Sequence, residues 1–151
     1  MFQKQPWMQR AGEYPQSDDE YFNLLARAVF SAGLGPKVVE SRWKDIGTAF
    51  HDFDPSKIRE MDEADVGRLL SDPAVIRNRR KIEAVIKNAA TFLEHTKKHK
   101  SFHAYLRKLG AASDLDSAAE KLAETFTHLG RSSALYFLYS AGWRPHEGVE
   151  A

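Results

Sequence analysis

The run Phe126-Thr127-His128-Leu129-Gly130-Arg131-Ser132-Ser133-Ala134 separates two apolar-periodic segments, residues 118–126 and 132–141. Both repeat their apolar residues at helical spacing, so the run reads as a tight connection between two helices. Gly130 stands where such a hairpin turns, and Leu129 is the apolar residue that can plug between the helices. A glycine turn leading into a helix exposes backbone N–H groups, and the helix dipole favours an anion in front of them. A phosphate can dock there without any base being read. Arg131 can add a charge-assisted contact, and Ser132 or Ser133 a hydroxyl. The competing reading is an ordinary αα-hairpin.

Working outward, nearly every other segment also reads as helix. Ser17-Asp18-Asp19-Glu20 supplies a cap with acidic residues at the positive end of a dipole. Tyr21, Leu24, Leu25, Ala28 and Val29 follow at helical spacing, and Gly33 stops the helix. A second helix starts at Pro36 and carries Val38, Val39, Trp43, Ile46 and Phe50 inward. Asp54-Pro55 and Asp62-Glu63 cap two short helices. Residues 78–98 form the longest candidate, and residues 101–109 another short one. Residues 110–116 are a loop, with Asp116 capping the next helix. No segment alternates with a period of two, so the expected fold is all-α, a single compact domain over residues 1–151 with its hairpin element at about 117–142. The first sixteen residues and the last six are the expected loose ends.

Hydrophobic residues make up 42% and charged residues 28%, a globular balance. No apolar run approaches the roughly 20 residues that span a bilayer, so no membrane association is expected. Nor is there an apolar secretory core behind the first residues, which points to a cytoplasmic protein. The absence of cysteine excludes disulfides, cysteine-ligated zinc, iron–sulfur clusters and a thiol nucleophile. The net charge of +1 hides an uneven distribution. Residues 75–110 hold ten Lys/Arg against Glu83 and Glu94, a net +8 between two acidic thirds. Polyanion binding is one explanation and a solvated helix surface is the other.

Four landmarks in order carry a resemblance. They are Val29-Phe30-Ser31-Ala32-Gly33-Leu34 with Lys37-Val38-Val39; Ala49-Phe50-His51-Asp52-Phe53-Asp54-Pro55; residues 75–89; and the hairpin, which is similar to the helix–hairpin–helix of base-excision glycosylases. Together they cover about residues 20–142, and the chain resembles the 3-methyladenine DNA glycosylase I family. The resemblance implies a monofunctional glycosylase that hydrolyses the N-glycosidic bond of alkylated bases such as 3-methyladenine. Its partner would be double-stranded DNA containing damaged bases. It implies DNA contacts from Thr127, His128, Leu129, Gly130, Arg131, Ser132 and Ser133. A monomer without cofactor is expected.

The departures from the family pattern fall on the pocket. The family's zinc site uses Cys and His, and without cysteine that site cannot exist in its usual form, so no metal is expected. Ala28 stands at the position of the family's pocket glutamate, and Pro36 at that of its tryptophan. His128 replaces the first hairpin glycine. Pro145-His146-Glu147 resembles the ending of a shorter, zinc-free branch, which makes Glu147 and His146 the catalytic candidates. Glu147 would accept a hydrogen bond from a base or stabilise developing sugar cation character. Trp7, Tyr14 and Trp143 are the candidate stacking groups of a base pocket. The alternatives are a catalytically inactive relative that recognises distorted or damaged DNA and, more distantly, a helical protein-interaction domain.

Overall fold

A computed structural model describes Phe2 and residues 4–144, and holds eight α-helices and no strand among them. They are α1 (Asp18–Ser31), α2 (Pro36–Ala49), α3 (Pro55–Ile58), α4 (Glu63–Ser71), α5 (Arg79–His99), α6 (Phe102–Leu109), α7 (Leu115–Thr125) and α8 (Arg131–Ser140). The all-α expectation holds. None of these helices is long and apolar enough to cross a membrane.

Local chemistry accounts for most helix starts. Ser17 Oγ accepts from the Glu20 amide, Asn78 Oδ1 from Lys81, Ser101 Oγ from Ala104, and Asp62 forms a reciprocal capping box with Asp65. One cap differs from the sequence reading. Asp114, not Asp116, caps α7 by accepting from the Ser117 amide at 3.1 Å. Asp116 lies inside the first turn, where its carboxylate meets Arg131. Val38, expected to face inward, is 43% exposed because α2 turns Val39 and Ile46 to the core instead.

The central packing unit is α1, which lies against α8, α5 and α2, while α7 and α8 form the most extensive helix pair. Phe22, Leu25, Val29 and Phe30 of α1 are fully buried, as are Phe92, Phe102 and Phe137. Fully burying such side chains is worth about 1.5–3 kcal/mol each against leaving them exposed.

The N-terminal segment is not a loose end. The Gln9 amide donates to Ser140 O and the Gly12 amide to Gly142 O, both at 2.9 Å, and Met8 is buried. Gly142 makes this closure possible. Its φ is +94°, and a Cβ there would lie 2.8 Å from both Arg10 O and Glu13 O. Between α2 and α3, His51, Asp52 and Phe53 all take left-handed φ of 54–57°. Such a conformation costs roughly 1–2 kcal/mol per residue, and burial of Phe53, stacked on Trp43 at 4.5 Å, holds it in place.

Candidate functional site

Six of the eight helices begin with a side-chain cap; α2 and α8 do not. Their N-caps are Gly35 and Gly130, and neither has an acidic residue in its first turn. These two bare N-termini open on one cavity of about 210 Å³. Pro36 comes from α2, Ser132, Ser133 and Tyr136 from α8, and Ala28, Ser31 and Ala32 from α1 and its end, with Phe2 closing one side. At about 30 Å³ per water the space equals roughly seven waters, enough for one flat heterocycle but not a nucleotide. The positions of Ala28 and Pro36, singled out from sequence as departures, therefore lie in the same cavity as the serines after the hairpin.

The polar atoms around this cavity are largely unmatched. Ser31 Oγ, Tyr136 Oη, Trp7 Nε1 and Arg27 Nη2 are all buried and make no hydrogen bond among the described residues. Tyr136 and Ser31 do lie close enough to influence each other, and the contact eases the rise that burial imposes on the tyrosine pKa. Arg27 is 6% exposed and has no carboxylate partner among the described residues. Its Cζ sits 3.6 Å from the Trp7 ring centroid and 5.4 Å from that of Trp43. Burial depresses its pKa, while Tyr136 and the exposed Glu40 act the other way. Buried polar groups without partners are uncommon in native proteins, and two of these, on Ser31 and Tyr136, line the cavity itself.

Helix α5 fixes this cavity relative to the hairpin. Near its start, buried Lys81 donates Nζ to Phe30 O at 3.1 Å and to Ala32 O, covering the carbonyl end of α1. Burial lowers the Lys81 pKa. Two turns on, buried Asn88 accepts from the Thr127 amide at 2.8 Å and donates to Thr127 O at 3.0 Å. Seven residues of helix set these two grips about 10.5 Å apart along its axis.

In the hairpin, His128 and not Gly130 takes the left-handed conformation, with φ 59°. The histidine thus adopts the backbone that a glycine would favour, and Gly130, at φ −78°, serves as the N-cap of α8. Leu129 is buried as expected, whereas Thr127, His128, Gly130, Arg131 and Ser132 are exposed and Ser133 half-buried. Arg131 points back to α7, pairing with Asp116 at 3.0 Å and Glu120 at 3.5 Å. In the basic segment, Arg79 is held by Glu63 and Glu83, while Arg77, Arg80 and Lys87 are exposed and form no ion pair among the described residues.

The three stacking candidates separate. Trp7 backs the cavity through Tyr136, ring to ring at 6.2 Å, and also lines a second cavity of about 360 Å³ with Asp19, Glu20 and Asp52. That larger cavity shares no lining residue with the hairpin, so the smaller one is the better candidate. Tyr14 and buried Trp143 stack on each other at 4.3 Å and both meet His103, with neither lining the 210 Å³ cavity. His146 and Glu147 lie outside the described residues. Among the described residues no three His, Asp or Glu come together as metal ligands, so these residues do not fit the zinc of the resembled family.

Sequence reasoning passed over Arg27, Ser31 and Tyr136, because the helical period reads them as ordinary members of α1 and α8. It also passed over Leu34, 37% exposed between two glycines of positive φ, Gly33 and Gly35. That exposed leucine between two flexible residues was the one signal available.

Comparisons with known proteins bear on the fold and the family. The family model for methyladenine glycosylase matches residues 6–143. The chain is 31% identical over 122 residues to DNA-3-methyladenine glycosylase 1 of Escherichia coli K12, covering 80% of this chain and 65% of that protein, slightly less than two thirds. It is similar to the solved 3-methyladenine DNA glycosylase I of Staphylococcus aureus at TM-score 0.81 and 25% identity, over 93% of this chain and 87% of that one. A variant of 3-methyladenine DNA glycosylase I in complex with 3-methyladenine matches equally well, at TM-score 0.81 and 25% identity over 93% and 88% of the two chains.

Proposed function

Because the chain belongs to the methyladenine glycosylase family, we propose that it is a base-excision DNA glycosylase that hydrolyses the N-glycosidic bond of alkylated bases, 3-methyladenine foremost. The single observation that carries this reading is the 210 Å³ cavity where the bare N-termini of α2 and α8 meet. A base acted on in duplex DNA must leave the stack and enter a pocket, at a cost of a few kcal/mol. The hairpin, with the amides of α8 behind it, docks a phosphate; exposed Arg77, Arg80 and Lys87 add a basic flank. Leu34 is the apolar wedge that fills the gap in the stack.

The chemistry required is modest. An alkylated adenine carries positive charge, so its glycosidic bond is already weakened, and its departure as a neutral base needs positioning more than strong acid catalysis. Hydrolysis by water, without a Schiff base, fits the commitment of Lys81 to two backbone carbonyls. His146 and Glu147 remain the candidate catalytic pair in this reading, and the enzyme acts as a monomer on duplex DNA in the cytoplasm. Sedimentation at the mass of a single chain is the expected result.

The test is release of free base from methylated duplex DNA, with and without chelator. Chelator-insensitive release of 3-methyladenine without strand scission is the expected result. Salt-sensitive duplex binding with no release would overturn it and leave a DNA-binding relative that cleaves nothing.

A further inference from the structure

The buried face of α5 is built from apolar side chains such as Ile82, Val85 and Phe92, and its only buried polar residues are Lys81, Asn88 and Thr96. Thr96 Oγ1 donates to Leu93 O within the same helix. Lys81 and Asn88 reach out of α5 instead, and each lands on backbone. Lys81 Nζ donates to Phe30 O and Ala32 O at the end of α1. Asn88 accepts from the Thr127 amide and donates to Thr127 O in the hairpin.

An ammonium without a counter-charge is expensive to bury. Lys81 is 4% exposed and has no carboxylate partner among the described residues. Water or an exposed lysine of the same helix can serve the last carbonyls of a helix. Capping α1 therefore does not by itself call for this residue. What the two grips have in common is the kind of segment they hold. The end of α1 leads into Gly33-Leu34-Gly35, where exposed Leu34 stands between two residues of positive φ and the Leu34 and Gly35 amides return to Ser31 O. Thr127 leads into left-handed His128 and the N-terminus of α8. Exposed Arg80 and Lys87, each next in sequence to a grip, repeat the same seven-residue spacing on the outside of α5. Seven residues rise about 10.5 Å, about three base-pair steps of roughly 3.4 Å.

We infer that Lys81 and Asn88 are positioning residues that use α5 as a ruler, fixing the Leu34 loop and the hairpin at one separation so that a single nucleotide is extruded between an inserted wedge and a held phosphate. The inference rests on the glycosylase reading and adds to it what sets the two DNA-contacting segments relative to each other. Lys81 acts through the end of α1 that carries Leu34, and Asn88 through the hairpin. A separation is set only while both ends are held. Releasing the second grip therefore adds little to releasing the first.

That non-additivity is the test. The purified full chain is bound to a duplex carrying a tetrahydrofuran abasic site beside 2-aminopurine, whose fluorescence rises when the wedge unstacks it. No bond breaks in this duplex, so the readout does not depend on catalysis. Lys81→Met keeps the length of the side chain and drops its charge, while Asn88→Ala leaves two backbone groups at the surface that water can satisfy. Each should lower the equilibrium constant for insertion, read at saturating protein, at least about fivefold, and the double variant should stay within about twofold of the larger single effect. Two independent local roles would multiply instead, to about 25-fold or more, because sites this far apart and without shared partners are additive in free energy. Urea denaturation of the same proteins supplies the contrast, since there the two losses should add. Leu34→Ala should abolish the fluorescence change. Multiplying losses of insertion, insertion unchanged in either single variant, or a signal that survives Leu34→Ala would each overturn the inference. If Lys81→Met does not fold, Lys81→Gln takes its place with the same expectation. Coupled insertion without base release from methylated duplex would sustain the inference while defeating the glycosylase assignment; base release without insertion by the wild type would do the reverse.

Discussion

The segment before α1 supplies aromatic rings to two clusters, Tyr14 to one and Phe2 and Trp7 to the other, and the two are finished differently. Tyr14 joins Trp143, His103 and Tyr21, where the Tyr21 hydroxyl meets His103 Nδ1 at 2.7 Å and only the Trp143 indole N–H is without a partner among the described residues. Trp7 joins Arg27, Tyr136 and Phe2, where an indole nitrogen, a guanidinium nitrogen and a phenol oxygen are all left without partners. The first cluster is closed by ring contacts and a short hydrogen bond, as a structural joint should be. The second keeps its polar atoms free beside an open cavity. Side chains of the same type, brought in by one stretch of chain, thus serve stability in one place and, in the proposed function, back the base cavity in the other.

The largest expected effect breaks the joint itself. Gly142→Ala would drive a Cβ to 2.8 Å from two backbone oxygens at a φ of +94°. It should cost about 3 kcal/mol or more. Thermal melting should read this as a drop of roughly 6–12 °C. Tyr21→Phe removes the bond to His103 and should cost about 1 kcal/mol, measured by urea denaturation.

Acid sharpens the same comparison. Burial, and then the nearby Arg107, lowers the His103 pKa from 6.5; burial likewise lowers His95. The unfolded chain therefore takes up these protons first. The stability is fully present above 6.5 and is lost as pH falls from there towards the depressed folded values. Melting temperature should fall across that window, and less steeply in His103→Gln. The smallest effect belongs to the open cluster. Tyr136→Phe deletes a hydroxyl that has no partner, so stability should stay within about 0.5 kcal/mol of wild type. A loss as large as that of Tyr21→Phe would erase the distinction between the clusters.

These positions also show how far the sequence could be read. Helix starts were legible because Ser17, Asn78, Ser101 and Asp62 act within three or four residues of themselves. Asp114 and Asp116 were not separable, since both can cap and only the contact with Arg131 decides which does. The hairpin was legible as a unit, but its left-handed residue proved to be His128, a conformation that Asn88 and the burial of Leu129 impose from outside. The N-terminal segment read as loose because its partners, Ser140 and Gly142, lie more than 120 residues away. In the pocket, sequence identified what is missing at Ala28 and Pro36. It did not identify what lies there instead, because Arg27 and Tyr136 carry no local signature and acquire their significance only when α1 and α8 pack together.

Ala32→Phe tests the central claim, that the cavity between α1, α2 and α8 receives the base. Ala32 lines the cavity and uses only its backbone to meet Lys81, so the added ring should fill the space and leave the hairpin untouched. Release of 3-methyladenine from methylated duplex should fall at least about 100-fold, with duplex affinity and melting temperature close to wild type. Release at the wild-type rate would contradict the account and move the base to another site.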